Sequence, residues 1–324
     1  MTESGNPTGG LPISEAVAIL RRGGLVAFPT ETVYGLGADA RNPAAVARLY
    51  TVKGRPPGHP VIVHLGDPRQ LSDWAREIPP TARTLADRFW PGPLTLVLKR
   101  APNVGDYLTG GQDTIGLRVP GHPVALELLR RFGGAIAAPS ANKFGRVSPT
   151  TAQHVRADLD GEVDLILDGG PCEVGIESTI VDLSRDGPVL LRPGRISADE
   201  IAAAIGVQIE ARDAHAPRAP GSLESHYAPR RPLQLVSAGR WEETLRGRVT
   251  ARRSVLAFRS RPESDASVLW IAASRDPSTY AHDLYANLRA LDESGCQLIL
   301  VESPPAGDEW TGVRDRLTRA ARSE

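Results

Sequence analysis

Apolar residues fall along this chain in short runs that alternate with stretches of helical spacing. Ser14 starts a helix carrying Val17, Ile19 and Leu20, which Gly23 and Gly24 close. Leu25–Phe28 follows as a strand. Asn42 can cap a second helix through Val46 and Leu49, which delivers Lys53 just past its end. Val61–His64, Leu94–Leu98, Ile115–Arg118, Ala135–Ala137, Leu165–Leu167, Thr179–Asp182 and Val189–Leu191 read as further strands. His122–Phe132 and Ala198–Ile205 read as helices. The mixture predicts an α/β domain, a twisted mixed sheet with flanking helices.

The texture changes over Ala211–Pro232. This stretch holds Pro217, Pro220, Pro229 and Pro232 with His215 and His226, and its large apolar residues are Leu223 and Tyr227. It cannot build its own core and reads as an interdomain linker. A second α/β pattern begins at Leu233. Leu233–Val236, Val255–Phe258, Val268–Ile271 and Leu298–Val301 read as buried strands. An amphipathic helix presents Tyr280, Leu284, Tyr285, Leu288 and Leu291, and Asp315–Ala321 reads as a closing helix. Strand–helix–strand order favours a small parallel sheet. The expected division is a disordered polar tail over 1–10, a first domain over 11–210, a linker over 211–232 and a smaller Rossmann-like α/β domain over 233–324.

Composition narrows the class. A chain of 324 residues accommodates about two domains. At 41% apolar it can build real cores. Lys plus Arg equals Asp plus Glu, at 38 each, which argues against a uniformly basic nucleic-acid surface. Two isolated cysteines, Cys172 and Cys296, fit a reducing compartment and give no metal spacing. No segment approaches the roughly 20 apolar residues of a membrane span, and no signal-like apolar run follows Met1. The expectation is a cytoplasmic protein without membrane contact, monomeric or weakly dimeric.

Candidate chemistry concentrates in the first domain. Lys53 and Arg55, two residues apart, can converge on one polyanion, the Arg as a planar fork and the Lys as a compact charge. Read alone, the pair is a solvated loop. Ser140 and Asn142 add short neutral hydrogen-bonding arms. Arg118 stands on an apolar strand, where it is costly unless paired, so it is either half of an ion pair or a clamp on a carboxylate. Thr30 and Thr32 follow an apolar strand, and one of them can turn its hydroxyl into a cleft. Gly35 and Gly37 read as turn residues or points of close backbone approach. His64 ends a strand, where a structural role is the plainer reading. The chain shows no complete Walker A loop, no zinc helix, no nucleophile elbow and no base beside Cys172.

Nine motifs occur in one order: Pro29–Gly37, Lys53-Gly-Arg-Pro56, Trp90–Thr95, Arg118-Val-Pro, Ala138–Asn142, Ser148-Pro-Thr150, Gly175–Thr179, Leu191–Gly194 and His226-Tyr-Ala-Pro229. In this order they resemble the YrdC-type threonylcarbamoyl-AMP synthases, in the long form with a C-terminal domain. The resemblance implies a nucleotidyltransferase that makes threonylcarbamoyl-AMP and pyrophosphate from L-threonine, bicarbonate and ATP, for threonylcarbamoyladenosine in tRNA. It implies that Lys53 and Arg55 serve catalysis. It also implies ATP contacts by Lys53, Arg55, Thr114, Ser140, Asn142, Ser148, Arg192 and Tyr227. Thr30, Thr32, His64, Arg118, Ala138 and Ser178 would meet L-threonine. Mg²⁺ is expected with the ATP, and no tightly bound organic cofactor. Downstream tRNA-modifying proteins, and tRNA itself, are the candidate macromolecular partners, and the linker is expected to act as a lid. Two departures bear on that lid: Ser222–Ser225 replaces the family's Met–Lys-like run, and His59 stands where Asn is usual. A carbamoyl-transfer enzyme and an RNA-binding module are the competing readings of the same cavity.

Overall fold

A computed structural model describes residues 12–56, 58–221, 226–246 and 251–322. The tail expected over 1–10 and the departure at 222–225 lie outside the described residues. The described chain divides into two compact units, 12–144 with 149–221, and 145–148 with 226–322.

In the first unit ten strands form one mixed sheet: β1 (Val26–Phe28), β2 (Gly35–Asp39), β3 (Ile62–His64), β4 (Leu94–Lys99), β5 (Thr114–Arg118), β6 (Ile136–Ala137), β7 (Leu165–Ile166), β8 (Thr179–Asp182), β9 (Val189–Arg192) and β10 (Glu210–Ala211). Their order is β10-β9-β8-β4-β5-β3-β6-β2-β1-β7. Alternation sorts the side chains between two faces. Leu94, Leu96 and Leu98 of β4, Val63 of β3, and Ile115 and Leu117 of β5 enter the main core. Ile62, Val97 and Ile180 point the other way and meet Val189 and Leu191. Register pairs Ile62 with Gly116 and His64 with Arg118, so Gly116 and Arg118 share the face of Ile62 and His64. Thr114, two residues earlier on β5, falls on that face as well.

Helix Pro43–Lys53 is capped as the sequence predicts, with Asn42 accepting from the backbone N–H groups of Ala44 and Ala45. Lys53 is its last residue rather than the first beyond it. Gly54 at φ 63° stops the helix, and the chain turns sharply before Arg55. The helices Pro80–Phe89 and Ala152–Leu159 were not legible as helical patterns. Gly35 and Gly37 are not in a turn. They lie within β2, and an added Cβ at Gly37 would sit 2.8 Å from Phe28 Cε1 and 2.9 Å from Ile136 Cγ2. Close backbone approach is what these glycines provide.

Residues 211–221 of the expected linker lie against the first unit. Ala211 pairs with Leu190 at the sheet edge. Beyond it, Asp213 meets Arg185 at 3.1 Å, Arg218 donates to the Gly110 carbonyl at 2.8 Å, and buried Ala219 packs with Ile62, Val97 and Ile180. Residues 211–221 thus form a strap across the sheet face that carries Arg118.

The second unit holds a sheet of four parallel strands, β11 (Leu233–Val236), β12 (Arg253–Ala257), β13 (Trp270–Ala272) and β14 (Leu298–Glu302), in the order β11-β14-β12-β13. Helix Trp241–Arg246 covers Val236, Val255 and Leu300 on one face. Leu256, Ile299 and Val301 alternate to the other face, under helices Pro277–Glu293 and Thr311–Ala320. The last helix starts four residues earlier than expected from the Asp315 pattern, after the turn Asp308–Trp310. Among the described residues no helix is long and apolar enough to cross a membrane.

The glycine contact is open to test. Gly37→Ala should destabilise the first unit by about 1–3 kcal/mol, because Phe28 and Ile136 must both give way to a methyl group. Urea denaturation followed by far-UV circular dichroism reads the change. An unmoved midpoint would show that the β1–β2–β6 contact is slack.

Candidate functional site

The site is built outward from Arg118, which the β3–β5 register sets beside His64. Only 4% of the Arg118 side chain is exposed. Its Nε donates to the Gly92 carbonyl at 3.1 Å and its Nη1 to Thr32 Oγ1 at 3.0 Å. Its Nη2 lies 2.8 Å from Glu31 Oε1, in an ion pair whose geometry falls short of a hydrogen bond. Arg118 is therefore half of a buried ion pair, and it still has an incompletely used donor. Neither Glu31 oxygen accepts a hydrogen bond, and His64 Nδ1 has no partner among the described residues. Burial and the nearby Arg118 charge push the His64 pKa down to about 3, so its ring is neutral.

Thr30 and Thr32 divide their roles. The Thr30 hydroxyl donates to the Val33 carbonyl at 2.6 Å and accepts from the Val33 backbone N–H at 3.2 Å. Its proton is thereby committed to a tight local turn. The 2.9 Å contact between the two hydroxyls then has Thr32 as donor, and Thr32 accepts from Arg118. Thr32 meets the guanidinium, and Thr30 holds the turn that presents it.

Lys53 forms a second buried cationic centre, 2% exposed. Its Nζ donates to the carbonyls of Ser140 at 2.5 Å and Asn142 at 2.6 Å, with Asn142 Oδ1 at 3.4 Å. No carboxylate among the described residues comes within ion-pair distance of it. Desolvation, reinforced by the Arg55 charge, holds its pKa well below the usual lysine range. A buried ammonium with neutral oxygens as partners is short of negative charge, and an anion would supply it. Arg55 is buried beside it, between the Tyr50 and Phe144 rings at 5.9 and 5.8 Å, and donates to the Pro60 carbonyl at 2.5 Å. The His59 ring leans on Phe144 at 5.4 Å, so this departure from the family pattern stands beside the Arg55 pocket.

Ser178 and Arg192 are brought together. Arg192 Nε and Nη2 donate to the Ser178 carbonyl and hydroxyl, each at 3.0 Å, and Ser178 shares a 2.8 Å contact with Thr95. A register shift between Ile180 and Val181 sets Arg192 opposite Ile180, turning it to the strap side, where its Nη1 donates to the Pro220 carbonyl at 3.0 Å. Ala138 is buried next to β3 through its N–H to the Ile62 carbonyl, and Ser140 bridges to Gly35. Thr114 opens β5, partly exposed, on the Arg118 face.

Ser148 and Tyr227 both belong to the second unit. Tyr227 stacks on Tyr285 at 5.9 Å beneath the Arg316 guanidinium, with the strained φ of 62°. The residues that sequence reasoning left out are Glu31, Thr95 and the Gly92 carbonyl. Glu31 stood in view between the two threonines, and a buried arginine calls for a carboxylate. Cys172 is fully buried, and burial pushes its thiol pKa far up.

The Sua5/YciO/YrdC family model, described as telomere recombination, matches residues 18–194. A second model, described as threonylcarbamoyl-AMP synthase, C-terminal domain, matches 196–322. A threonylcarbamoyl-AMP synthase of Bacillus subtilis is 41% identical over 95% of this chain and 92% of its own. One from Pyrococcus abyssi is 39% identical over 94% and 93%. The crystal structure of P. abyssi Sua5 complexed with L-threonine superimposes with a TM-score of 0.86 at 37% identity, covering 95% of this chain and 94% of that one. With a family model over more than half its length and relatives matched nearly end to end, the chain belongs to the Sua5/YciO/YrdC family, in the long form that carries the Sua5 C-terminal domain.

Proposed function

We propose that this chain is an L-threonylcarbamoyladenylate synthase, a nucleotidyltransferase that joins L-threonine, bicarbonate and ATP and releases pyrophosphate. The observation that carries the reading is the half-satisfied polar cluster around Arg118. Among the described residues, Arg118 Nη2, both Glu31 carboxylate oxygens and His64 Nδ1 make no hydrogen bond, although the guanidinium and carboxylate stand as an ion pair. A hydroxy amino acid answers these demands: its carboxylate suits Arg118 and Thr32, and its hydroxyl and amine suit His64 and Glu31. The names of the relatives, and the L-threonine complexed with P. abyssi Sua5, favour threonine.

The reaction asks for positioning and charge balance rather than a covalent side chain. The threonine amine combines with bicarbonate, loses water and becomes a carbamate. A carbamate oxygen then attacks the α-phosphorus, and the bond to the leaving pyrophosphate breaks. Lys53 and Arg55, with Ser140 and Asn142, are the groups we assign to the phosphates, where a buried ammonium gains the anion it lacks. Thr114 and Arg192 would extend the nucleotide contacts, and Ala138 and Ser178 the threonine wall. Neutral His64 offers a hydrogen bond without adding a charge beside Arg118. Among the described residues no group of three His, Cys, Asp or Glu side chains could hold a metal, so Mg²⁺ would ride on the triphosphate. The strap over 211–221 would limit water around the labile carbamate. The product would pass to other proteins for attachment to tRNA.

Incubation with ATP, bicarbonate and each amino acid in turn, read by pyrophosphate release and mass spectrometry of the adenylate, tests the reaction. Threonine alone should give a carbamoyl adenylate at an appreciable rate. RNA binding that survives loss of Lys53 and Arg55, without pyrophosphate release, would favour the binding-module reading.

Arg118→Ala should raise the threonine KM about 10–100-fold while moving the ATP KM little, the size expected when a charge-assisted bond to a carboxylate is lost. Lys53→Ala should show the reverse split. Steady-state kinetics with each substrate varied would sink the assignment if both variants lost the two substrates equally.

Burial of His64 also sets a pH dependence. The unfolded chain takes up its proton below the ordinary value of 6.5, whereas the folded chain resists until about 3. Folding stability should therefore fall as pH drops through that window, by up to ~1.4 kcal/mol per pH unit from this one group. In His64→Gln the slope between those limits should shrink by one proton. Denaturation midpoints across the range supply the measurement, and an unchanged slope would mean that His64 titrates normally.

A further inference from the structure

The second unit contains a cavity of about 590 Å³ that the reaction above does not use. It is lined by residues just beyond the ends of the four strands: Ser237 after β11, Phe258 and Arg259 after β12, Arg275 three residues past β13, and Ser303 after β14. In an all-parallel sheet, ligands bind beyond the carboxyl ends of the strands, where connections from neighbouring strands leave to opposite faces. That condition is met between β11 and β14. The chain leaves β11 for helix Trp241–Arg246 on one face, and leaves β14 for helix Thr311–Ala320 on the other.

The cavity's chemistry is specific. Its floor is aromatic, with Phe258 5.7 Å from Trp310 and both within 5.5 Å of Tyr280. The Tyr280 hydroxyl is buried behind them without a partner among the described residues. Glu302 is a buried carboxylate already satisfied, accepting from the Phe258 N–H at 2.9 Å and from Arg259 Nε at 3.1 Å. Arg259 is further engaged with Glu242 at 3.2 Å. Arg275 has no carboxylate partner among the described residues; its guanidinium lies 5.9 Å over the Phe258 ring and makes a 3.4 Å contact to the Phe258 carbonyl. The Ser237 and Ser303 side chains make no hydrogen bond among the described residues. Pro304 and Pro305 remove two backbone donors from the rim, so an anion must be met by side chains.

We propose that this crevice is a second small-molecule site, and that it takes a ring-bearing phosphate of the nucleoside monophosphate class. The ring lies against Phe258 and Trp310, and the phosphate is met by Arg275 with the Ser237 and Ser303 hydroxyls. The volume suits such a ligand with a few waters. The charge left over after internal pairing is the single cation of Arg275.

The full chain can be labelled with 5-fluorotryptophan, and the Trp310 resonance assigned among the five tryptophans from the spectrum of Trp310→Phe. Titration with AMP and with UMP should move the Trp310 signal saturably. Inorganic phosphate or adenosine alone should bind at least about tenfold more weakly, since each offers half of the recognition. Arg275→Ala, at an exposed position where folding is not at stake, should weaken the response by a similar factor, and Arg275→Lys by less. An immobile Trp310 signal, an equal response in Arg275→Ala, or phosphate alone matching the nucleotide would each overturn the proposal. An equal response in Arg275→Ala would also show that the signal came from nucleotide bound elsewhere. The outcome is independent of whether threonine is the substrate of the first unit.

Discussion

Among the described residues of the first unit, Arg118 and Lys53 are buried cations whose charge is not fully compensated, and much of the local architecture follows from that constraint. Taking a guanidinium or an ammonium out of water costs several kcal/mol unless oxygens and opposite charge replace the lost hydration. Arg118 receives a carboxylate, a hydroxyl and a carbonyl. Lys53 receives carbonyl and amide oxygens and, among the described residues, no carboxylate within ion-pair distance. Each device nearby serves one of these groups. The Thr30 turn aims Thr32 at the guanidinium, β2 and β6 bring the Ser140–Asn142 backbone back to Lys53, and Gly54 ends the helix so that Arg55 can join it. A fold that only needed stability would place leucines there.

The neutral partners at Lys53 and the charged partner at Arg118 have different consequences. A lysine held by carbonyls is oriented yet electrically open, and an arriving polyanion meets an aligned charge with no internal ion pair to break. Arg118 is electrically closed by Glu31 when the site is empty. On the proposed reading, a substrate carboxylate would share the guanidinium with Glu31. Planar guanidinium geometry permits this, because its nitrogens face different directions and Nη2 has no good acceptor in the present arrangement.

The strands and their two-faced burial were legible because alternation is local: Ile115 and Leu117 declare one face, Thr114 and Arg118 the other. Arg118 stood out because a cation on an apolar strand breaks that pattern, and Lys53 with Arg55 because two cations stand two residues apart. Less was legible wherever the determining contact is distant in sequence. The strap over 211–221 looks like a linker, poor in apolar residues, yet Ala219 finds Ile62 and Val97 across more than a hundred residues. Gly35 and Gly37 suggest a turn, and only the approach of Phe28 and Ile136 shows why a strand needs them. Helix Pro80–Phe89 buries little more than Ala82, Leu85 and Ala86, too sparse a stripe to announce itself. Glu31 was masked by its neighbours, since a single acid between two threonines has no periodicity to read.

The two units solve the problem of ligand recognition by opposite means. The first presents a mixed sheet, in which neighbouring strands run both ways and no common carboxyl edge exists to gather loops. Its candidate groups therefore lie on the face of the sheet, delivered by strand register, by a bulge at Ile180 and by strand ends, and the strap crosses above them. Groups on strands are held stiffly, which suits a reaction that depends on aligning two substrates rather than on a reactive side chain. The second unit is wholly parallel, so every strand ends on the same edge and the loops there assemble a crevice without specialised strand residues. Loop-borne groups such as Arg275 are exposed and adjustable, which suits reversible binding and would serve poorly for in-line attack at phosphorus. On the proposed reading, chemistry falls to the strand-held groups of the first unit and reversible recognition to the loop-held groups of the second.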